Sequence, residues 1–101
     1  MDELTGTPLQ IEWARLIIPQ VEAEFDRVSL AFNDVAAKQT GSRQADTFAV
    51  LALLDEHRAA VLAHRHSGYF IRDWQELSDQ VRQLIFRDPR YQSIKANRSL
   101  S

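Results

Sequence analysis

The sequence predicts an all-α protein, a small helical bundle that forms a single domain over residues 1–101. Apolar residues recur three and four positions apart along most of the chain, which is the period of an α-helix. Capping signals and helix-breaking residues divide this pattern into segments. No stretch alternates polar and apolar residues for long enough to form a strand. We expect the two ends, residues 1–6 and 96–101, to fray.

The first helix is predicted to begin after Thr7. The Thr7 hydroxyl can cap a free amide, Pro8 suits the first helical position, and Gln10 can complete a capping box. Pro19 has no amide hydrogen and crowds the preceding turn, so it should kink or break the helix. The segment beyond it continues to about Thr40–Gly41. We therefore expect either one long kinked helix or two helices that meet at Pro19.

Apolar stripes follow both parts of this helix. The part before Pro19 has one main stripe, made of Leu9, Trp13, Leu16 and Ile17. A weaker second face lies away from it and has Ile11, Ala14 and Ile18. The part after Pro19 has one stripe, made of Val21, Phe25, Val28, Phe32 and Val35. We expect the main stripes, including Trp13, to pack in the core.

The middle helix is predicted from about Ser42 to His66, with Gly68 as its stop signal. On a helical wheel it has two apolar arcs. One arc contains Phe48, Leu51, Ala52, Ala59, Leu62 and Ala63. The other contains Val50, Leu53, Leu54 and Val61, with His57 and His64 in its middle. A helix that is apolar on two sides is expected to be buried on two sides.

A second copy of the chain is the simplest way to cover both arcs, because 101 residues provide little protein to surround so long a helix. We therefore predict a homodimer. Its candidate interface is the second arc, with Val50, Leu53, Leu54, His57, Val61 and His64. The alternative is that the kinked first helix and the C-terminal tail cover the middle helix within a monomer.

Two further helices are predicted in the last third of the chain. Asp73 and Glu76 can form a second capping box at the start of an amphipathic helix. The stripe behind it consists of Trp74, Leu77, Val81, Leu84 and Ile85. Asp88 and Pro89 then end this helix and cap a short C-terminal helix that runs to about Ile94.

Composition and charge exclude several classes of protein. The chain has no cysteine, which excludes disulfides, thiolate metal sites and cysteine nucleophiles. Its longest apolar run, residues 48–54, is too short to span a membrane, and its acidic start is unlike a secretory signal. We therefore expect a cytoplasmic protein. The second half is rich in arginine, but acidic residues are interleaved with the arginines, which argues against a nucleic-acid partner.

The three histidines, His57, His64 and His66, raise the question of a metal site. His57 and His64 are about 10.5 Å apart along a helix axis, which is too far to share one ion. His64 and His66 point to nearly opposite sides, and no carboxylate lies three or four residues from any histidine. We predict neither a metal nor any other cofactor. A metal site assembled between helices or across a dimer is the one arrangement that this spacing leaves open.

Residues 63–68, AHRHSG, resemble the helical motif of histidine phosphotransfer domains, in which Ala-His is followed by a variable residue and then Leu-Lys-Gly. The match covers Ala63, His64 and Gly68, while His66 and Ser67 stand where the family has its leucine and lysine. The resemblance implies a four-helix bundle that relays phosphate between signalling proteins. His64 would then be the phosphoryl acceptor and would have to face solvent.

The predicted function is that of a small non-enzymatic helical protein, an adaptor or regulatory module that self-associates and docks an unknown protein partner. No histidine has a carboxylate at a useful local spacing, and the sequence has neither a Gly-x-Ser-x-Gly motif nor a glycine-rich phosphate loop. Phosphotransfer through His64 is one alternative. The other is a bundle that binds a small apolar ligand in a cavity lined by Trp13, Phe25, Phe48 or Trp74.

Overall fold

The computed structural model describes residues 3–75 and 77–100 and confirms an all-α fold. The described residues form five helices: α1 (Pro8–Ala37), α2 (Gly41–Leu62), α3 (Ser67–Asp73), α4 (Leu77–Phe86) and α5 (Pro89–Leu100). No helix in this part of the chain is long and apolar enough to cross a membrane. The expectations for residues 1, 2 and 101, and for Glu76 in a capping box, lie outside the described residues. Asp73, the predicted partner of Glu76, does not begin a helix, because it is the last residue of α3 and α4 begins at Leu77.

The predicted start of α1 is confirmed by a complete capping box. The Gln10 amide donates to the Thr7 hydroxyl at 3.2 Å, and the Gln10 side-chain oxygen accepts from the Thr7 amide at 3.0 Å. Pro19 lies inside α1, which continues through it as one helix of 30 residues. Of the two interpretations of this segment, the single long helix is therefore correct.

The part of α1 before Pro19 turns a different face to the core from the one predicted. Ala14 of the weaker predicted face is buried, as are Val21, Phe25 and Val28. Phe32 packs against the core, so the stripe after Pro19 is confirmed except at its last member, Val35, which is exposed. Leu9, Trp13 and Leu16 are exposed. Because α1 is one continuous helix, both parts must present the same face to the core, and these three residues lie about 120° away from it at 100° per residue.

α2 runs antiparallel to α1. Near its start the Gln44 side chain donates to the Ala36 carbonyl, and further along Arg58 approaches Asp26. The helix ends at Leu62 rather than at His66. Gly68 does not act as a stop signal, because it is the second residue of α3 and follows the capping position at His66. The predicted middle helix is therefore too long by about one turn: residues 63–66 form a loop, and the next helix, α3, begins at Ser67.

Residues 3–6 are held in place where fraying was expected. Thr5 forms an isolated parallel bridge with His66: its amide donates to the Arg65 carbonyl at 2.6 Å, and its carbonyl accepts from the Ser67 amide at 2.9 Å. Gly6 has a φ of 135°, and a Cβ there would lie 2.9 Å from the Gln10 side-chain oxygen, so this turn requires glycine. We name the two backbone hydrogen bonds of Thr5, with Arg65 and Ser67, the N-terminal clip.

At the other end of the chain, α5 extends to Leu100 instead of Ile94.

The core lies between the hairpin of α1 and α2 and the helices α3 and α4. Its fully buried side chains include Val21, Phe25, Val28, Leu54, Phe70, Val81 and Ile85. In the stripe predicted for α4, Trp74, Val81 and Ile85 are buried, and Leu77 and Leu84 pack against them. Tyr91 and Ile94 of α5 pack on the outside of the same cluster. These contacts leave one side of α1 and one side of α2 facing solvent.

Candidate functional site

The apolar residues predicted for a dimer interface lie in the core of the monomer. Val50, Leu53, Leu54 and Val61 are all buried, because α2 packs against α1, α4 and α5 of the same chain. The chain therefore covers this arc of α2 by itself, as in the monomer alternative. A contact between copies through these side chains would require the core to open.

His57, one of the two histidines of the predicted interface, is held by a carboxylate. Its Nε2 lies 2.8 Å from Oδ2 of Asp88, and a quarter of its side chain is exposed. Since an ionised carboxylate can only accept hydrogen bonds, Nε2 carries the hydrogen. The ring is thus oriented by a residue 31 positions away, at the start of α5.

Asp88 is the centre of a network that joins α2 to α5. Its Oδ1 accepts from the Arg90 amide at 2.8 Å and from Arg90 Nε at 3.2 Å, and its Oδ2 accepts from Arg90 Nη2 at 2.9 Å. The same guanidinium donates to Glu56 Oε2 of α2 at 2.6 Å. Hydrogen bonds from Arg90, and secondarily from His57, hold the pKa of the buried Asp88 carboxyl well below its ordinary value, although burial opposes this.

A cleft of about 670 Å³ opens beside this network, where α2, α3, α4 and the start of α5 meet. Its apolar lining includes Tyr69, Trp74, Leu84 and Pro89, and its polar lining includes His57 and Arg87. Trp74 Nε1 donates to the Tyr69 hydroxyl at 3.1 Å, which fixes the two rings relative to each other. The cleft has the size of a small-molecule site.

His64, the sixth predicted interface residue, is exposed and lies in the loop between α2 and α3. Its ring stacks on that of Tyr69, with centroids 3.7 Å apart and planes 12° apart. Exposure is what phosphotransfer requires of this residue. The resemblance to phosphotransfer domains, however, implies a histidine on a helix, whereas His64 lies in a loop.

The outer side of α1 carries four large exposed apolar side chains. Leu9 is 74% exposed, Trp13 56%, Leu16 65% and Leu30 64%. Soluble monomers seldom expose several large apolar side chains on one face, and where they do the face commonly binds another molecule. The outer side of α2 exposes less apolar surface, since Phe48 is its one exposed large apolar residue and the neighbours of Phe48 on that side are alanines.

The described residues contain no group of three or more side chains arranged to hold a metal ion. Comparisons with models of known protein families, with curated proteins and with solved structures found no match.

The outer face of α1 was missed as a candidate site, although the sequence contains a signal for it. Leu9, Leu16, Ala23 and Leu30 are seven residues apart, which is the spacing of a helix that packs along another helix. The partners of His57 carried no local signal. Its hydrogen-bond partner Asp88 is 31 positions away, and only the fold brings the two residues together.

Proposed function

We propose that this protein is a helical interaction module that self-associates through the outer face of α1. The observation that carries the proposal is the exposure of Leu9, Trp13, Leu16 and Leu30 on that face. They replace the α2 residues predicted for the interface, which are buried. The protein would thus act by self-association, as the sequence predicts, but through α1 instead of α2.

The energetics favour a concentration-dependent dimer. Complete burial of a large apolar side chain contributes about 1.5–3 kcal/mol, whereas association costs at least about 4 kcal/mol in lost freedom of motion. Two copies together bring eight such side chains, each already partly buried in the monomer. Their combined burial exceeds the lower end of the association cost by several kcal/mol, and a surplus of about 4–8 kcal/mol corresponds to dissociation in the millimolar to micromolar range.

Truncating the two central anchors should disrupt self-association. In a chain with Trp13→Ala and Leu16→Ala, we expect the dimer dissociation constant to rise at least about 100-fold, since each anchor is worth about tenfold or more. Sedimentation velocity over a concentration series measures this constant. Circular dichroism checks that the variant remains folded, which is expected because both side chains face solvent.

The matched control for this pair is Phe48→Ala, which removes a large apolar side chain of similar exposure from α2. It should leave the dissociation constant unchanged. The proposal fails if the unaltered chain sediments as a monomer up to its solubility limit, or if Phe48→Ala weakens the dimer as much as the double variant does.

The cleft beside His57 supports a second candidate function, the binding of a small amphiphilic molecule. Trp74 lines the cleft, as expected for the ligand-binding alternative, whereas Phe25 is buried and Trp13 and Phe48 lie on the outside. The apolar lining suits an aromatic body, and Arg87 suits a carboxylate group. The two acids that also line the cleft, Asp73 and Asp88, lie beside Arg72 and Arg90 respectively, which offset their charge. Benzoate is the simplest probe with both features.

The cleft can be tested by fluorescence. Trp13→Phe leaves Trp74 as the single tryptophan, since the chain has two. We expect benzoate to change the Trp74 emission and Arg87→Ala to weaken binding about tenfold, because it removes the charge that meets the carboxylate. Arg82→Ala, an exposed arginine of α4 that does not line the cleft, is the control. An emission that stays constant up to the solubility of benzoate rules this function out.

A further inference from the structure

The outer face of α1 repeats with the period of a coiled coil. Its exposed positions alternate in steps of four and three residues: Leu9, Trp13, Leu16, Gln20, Ala23, Arg27, Leu30 and Asp34. Steps of four and three residues repeat every seven residues, so these side chains lie along one line on the helix, the pattern by which a helix packs along a partner helix. We call these eight positions the seam. At 1.5 Å per residue, this seam extends for about 38 Å.

We propose that the partner on this seam is a second copy of the chain, whose α1 lies antiparallel to the first in one fixed register. The inference rests on the proposed function, because it specifies how the self-association occurs. The orientation and the register of the helix pair both follow from the order of charged and apolar residues along the seam.

Charge decides the orientation. In a parallel pair, each seam residue would lie opposite its own copy, so Asp34 would face Asp34 of the partner subunit. Arg27 would also face its own copy, but its guanidinium is already paired with Glu24 of the same helix, so Asp34 carries the charge argument. Like charges directly opposite each other are unfavourable, and more so when the contact excludes water. In an antiparallel pair, a seam residue lies opposite its own copy only where the two-fold axis passes. Charged residues away from the axis therefore avoid this repulsion. The antiparallel arrangement is therefore the one that the seam supports.

Apolar coverage decides the register. When the two-fold axis passes midway between Gln20 and Ala23, Trp13 packs against Leu30 of the partner subunit and Leu16 against the aliphatic stem of Arg27 of the partner subunit. All eight seam residues then meet a seam residue of the other copy. A shift by one heptad in one direction leaves Leu30 outside the contact. A shift in the other direction leaves Leu9 outside and places Trp13 against Ala37 of the partner subunit, a small residue at the very end of α1.

The centre of this register also permits a close approach of the two helices. Ala23, the smallest side chain of the seam, lies opposite Gln20 of the partner subunit, and both positions are exposed in the monomer. Small residues at a helix crossing let the backbones come closer, so that the larger side chains on either side reach across.

Spin labels can measure the register directly. The chain has no cysteine, so Arg15→Cys and Asn33→Cys each provide one labelling site, at exposed positions of α1 beside the seam. The proposed register separates the two copies of residue 15 by about 20 Å along the helix axis and the two copies of residue 33 by about 35 Å. Pulsed electron–electron double resonance should therefore give a distance about 15 Å longer at residue 33.

Each other outcome overturns a defined part of the inference. Equal, short distances at both sites indicate a parallel pair. A very short distance at residue 15 with about 55 Å at residue 33 indicates a pair centred on Trp13 and Leu16, two heptads away from the proposed register. In both of these cases the proposed function stands and the inference fails. Absence of dipolar coupling at concentrations up to the solubility limit rejects self-association itself, and the proposed function with it.

Discussion

Replacing Phe25 with alanine should lower the free energy of unfolding by about 3–5 kcal/mol, a large part of the stability of a domain of this size. Phe25 is fully buried at the middle of α1, and its ring lies 6.0 Å from that of Trp74. Truncation removes this contact and leaves a cavity between α1 and the wall of the cleft. Urea denaturation followed by circular dichroism, at a protein concentration low enough to exclude dimers, measures the loss.

Phe48→Ala is the control for this prediction as well, because it deletes the same atoms from a side chain that is half exposed. It should cost less than about 1 kcal/mol. If the two variants unfold with the same free energy, Phe25 is not the core residue that the structure shows.

Replacing Asp88 with alanine should lower the free energy of unfolding by about 2–4 kcal/mol. The substitution removes the cap of the α5 amide at Arg90, which is worth about 1 kcal/mol. It also removes the acceptor for His57 and for the Arg90 guanidinium, and hydrogen bonds to charged groups contribute about 1.5–3 kcal/mol. Asp88→Asn keeps an oxygen that can cap α5 and loses only the charge, so its effect should be smaller.

The same residue should make the protein sensitive to acid. In the unfolded chain this carboxyl titrates near its ordinary pKa of 3.8, whereas in the fold hydrogen bonds from Arg90 and His57 lower its pKa. Protons therefore bind the unfolded state more tightly, so the contribution of Asp88 is complete above about pH 5 and is lost progressively as the pH falls below 4. Urea denaturation at a series of pH values should show this decline in the unaltered chain.

Asp88→Asn should remove this part of the acid sensitivity, since it has no carboxyl to protonate. Asp55→Asn makes the same change at an exposed position of α2 and should leave the decline in place. Identical pH profiles for the two variants would contradict the role assigned to Asp88.

Local signals in the sequence predicted the parts of the fold that depend on neighbouring residues. The capping box of Thr7 and Gln10, the cap at Asp88 and the buried stripe of Trp74, Val81 and Ile85 each involve residues within about three helical turns. Chemistry over such short distances is visible in the sequence. The all-α class follows from it, but α3 does not, since the sequence predicted no separate helix between the middle helix and the one that follows residue 73.

The parts that the sequence could not predict depend on competition between distant surfaces. α1 and α2 each have two apolar faces, and the core selects one of them only when all five helices pack. Leu9 and Trp13 on one face of α1 are as apolar as Val21 and Phe25 on the other, so composition alone does not decide which face is buried. The end of α2 was misplaced for a similar reason, because the loop that follows it is held by Thr5, sixty residues earlier in the chain.

The N-terminal clip gives the two candidate sites a physical connection. It fastens the segment just before the seam of α1 to the loop that carries His64, whose ring in turn stacks on Tyr69 in the wall of the cleft. A dimer contact that displaced the first turn of α1 would therefore move the cleft wall. Thermodynamic linkage is reciprocal, so a molecule bound in the cleft would then change the affinity between copies by the same factor. In such a protein the small molecule would be the signal and the oligomeric state the response.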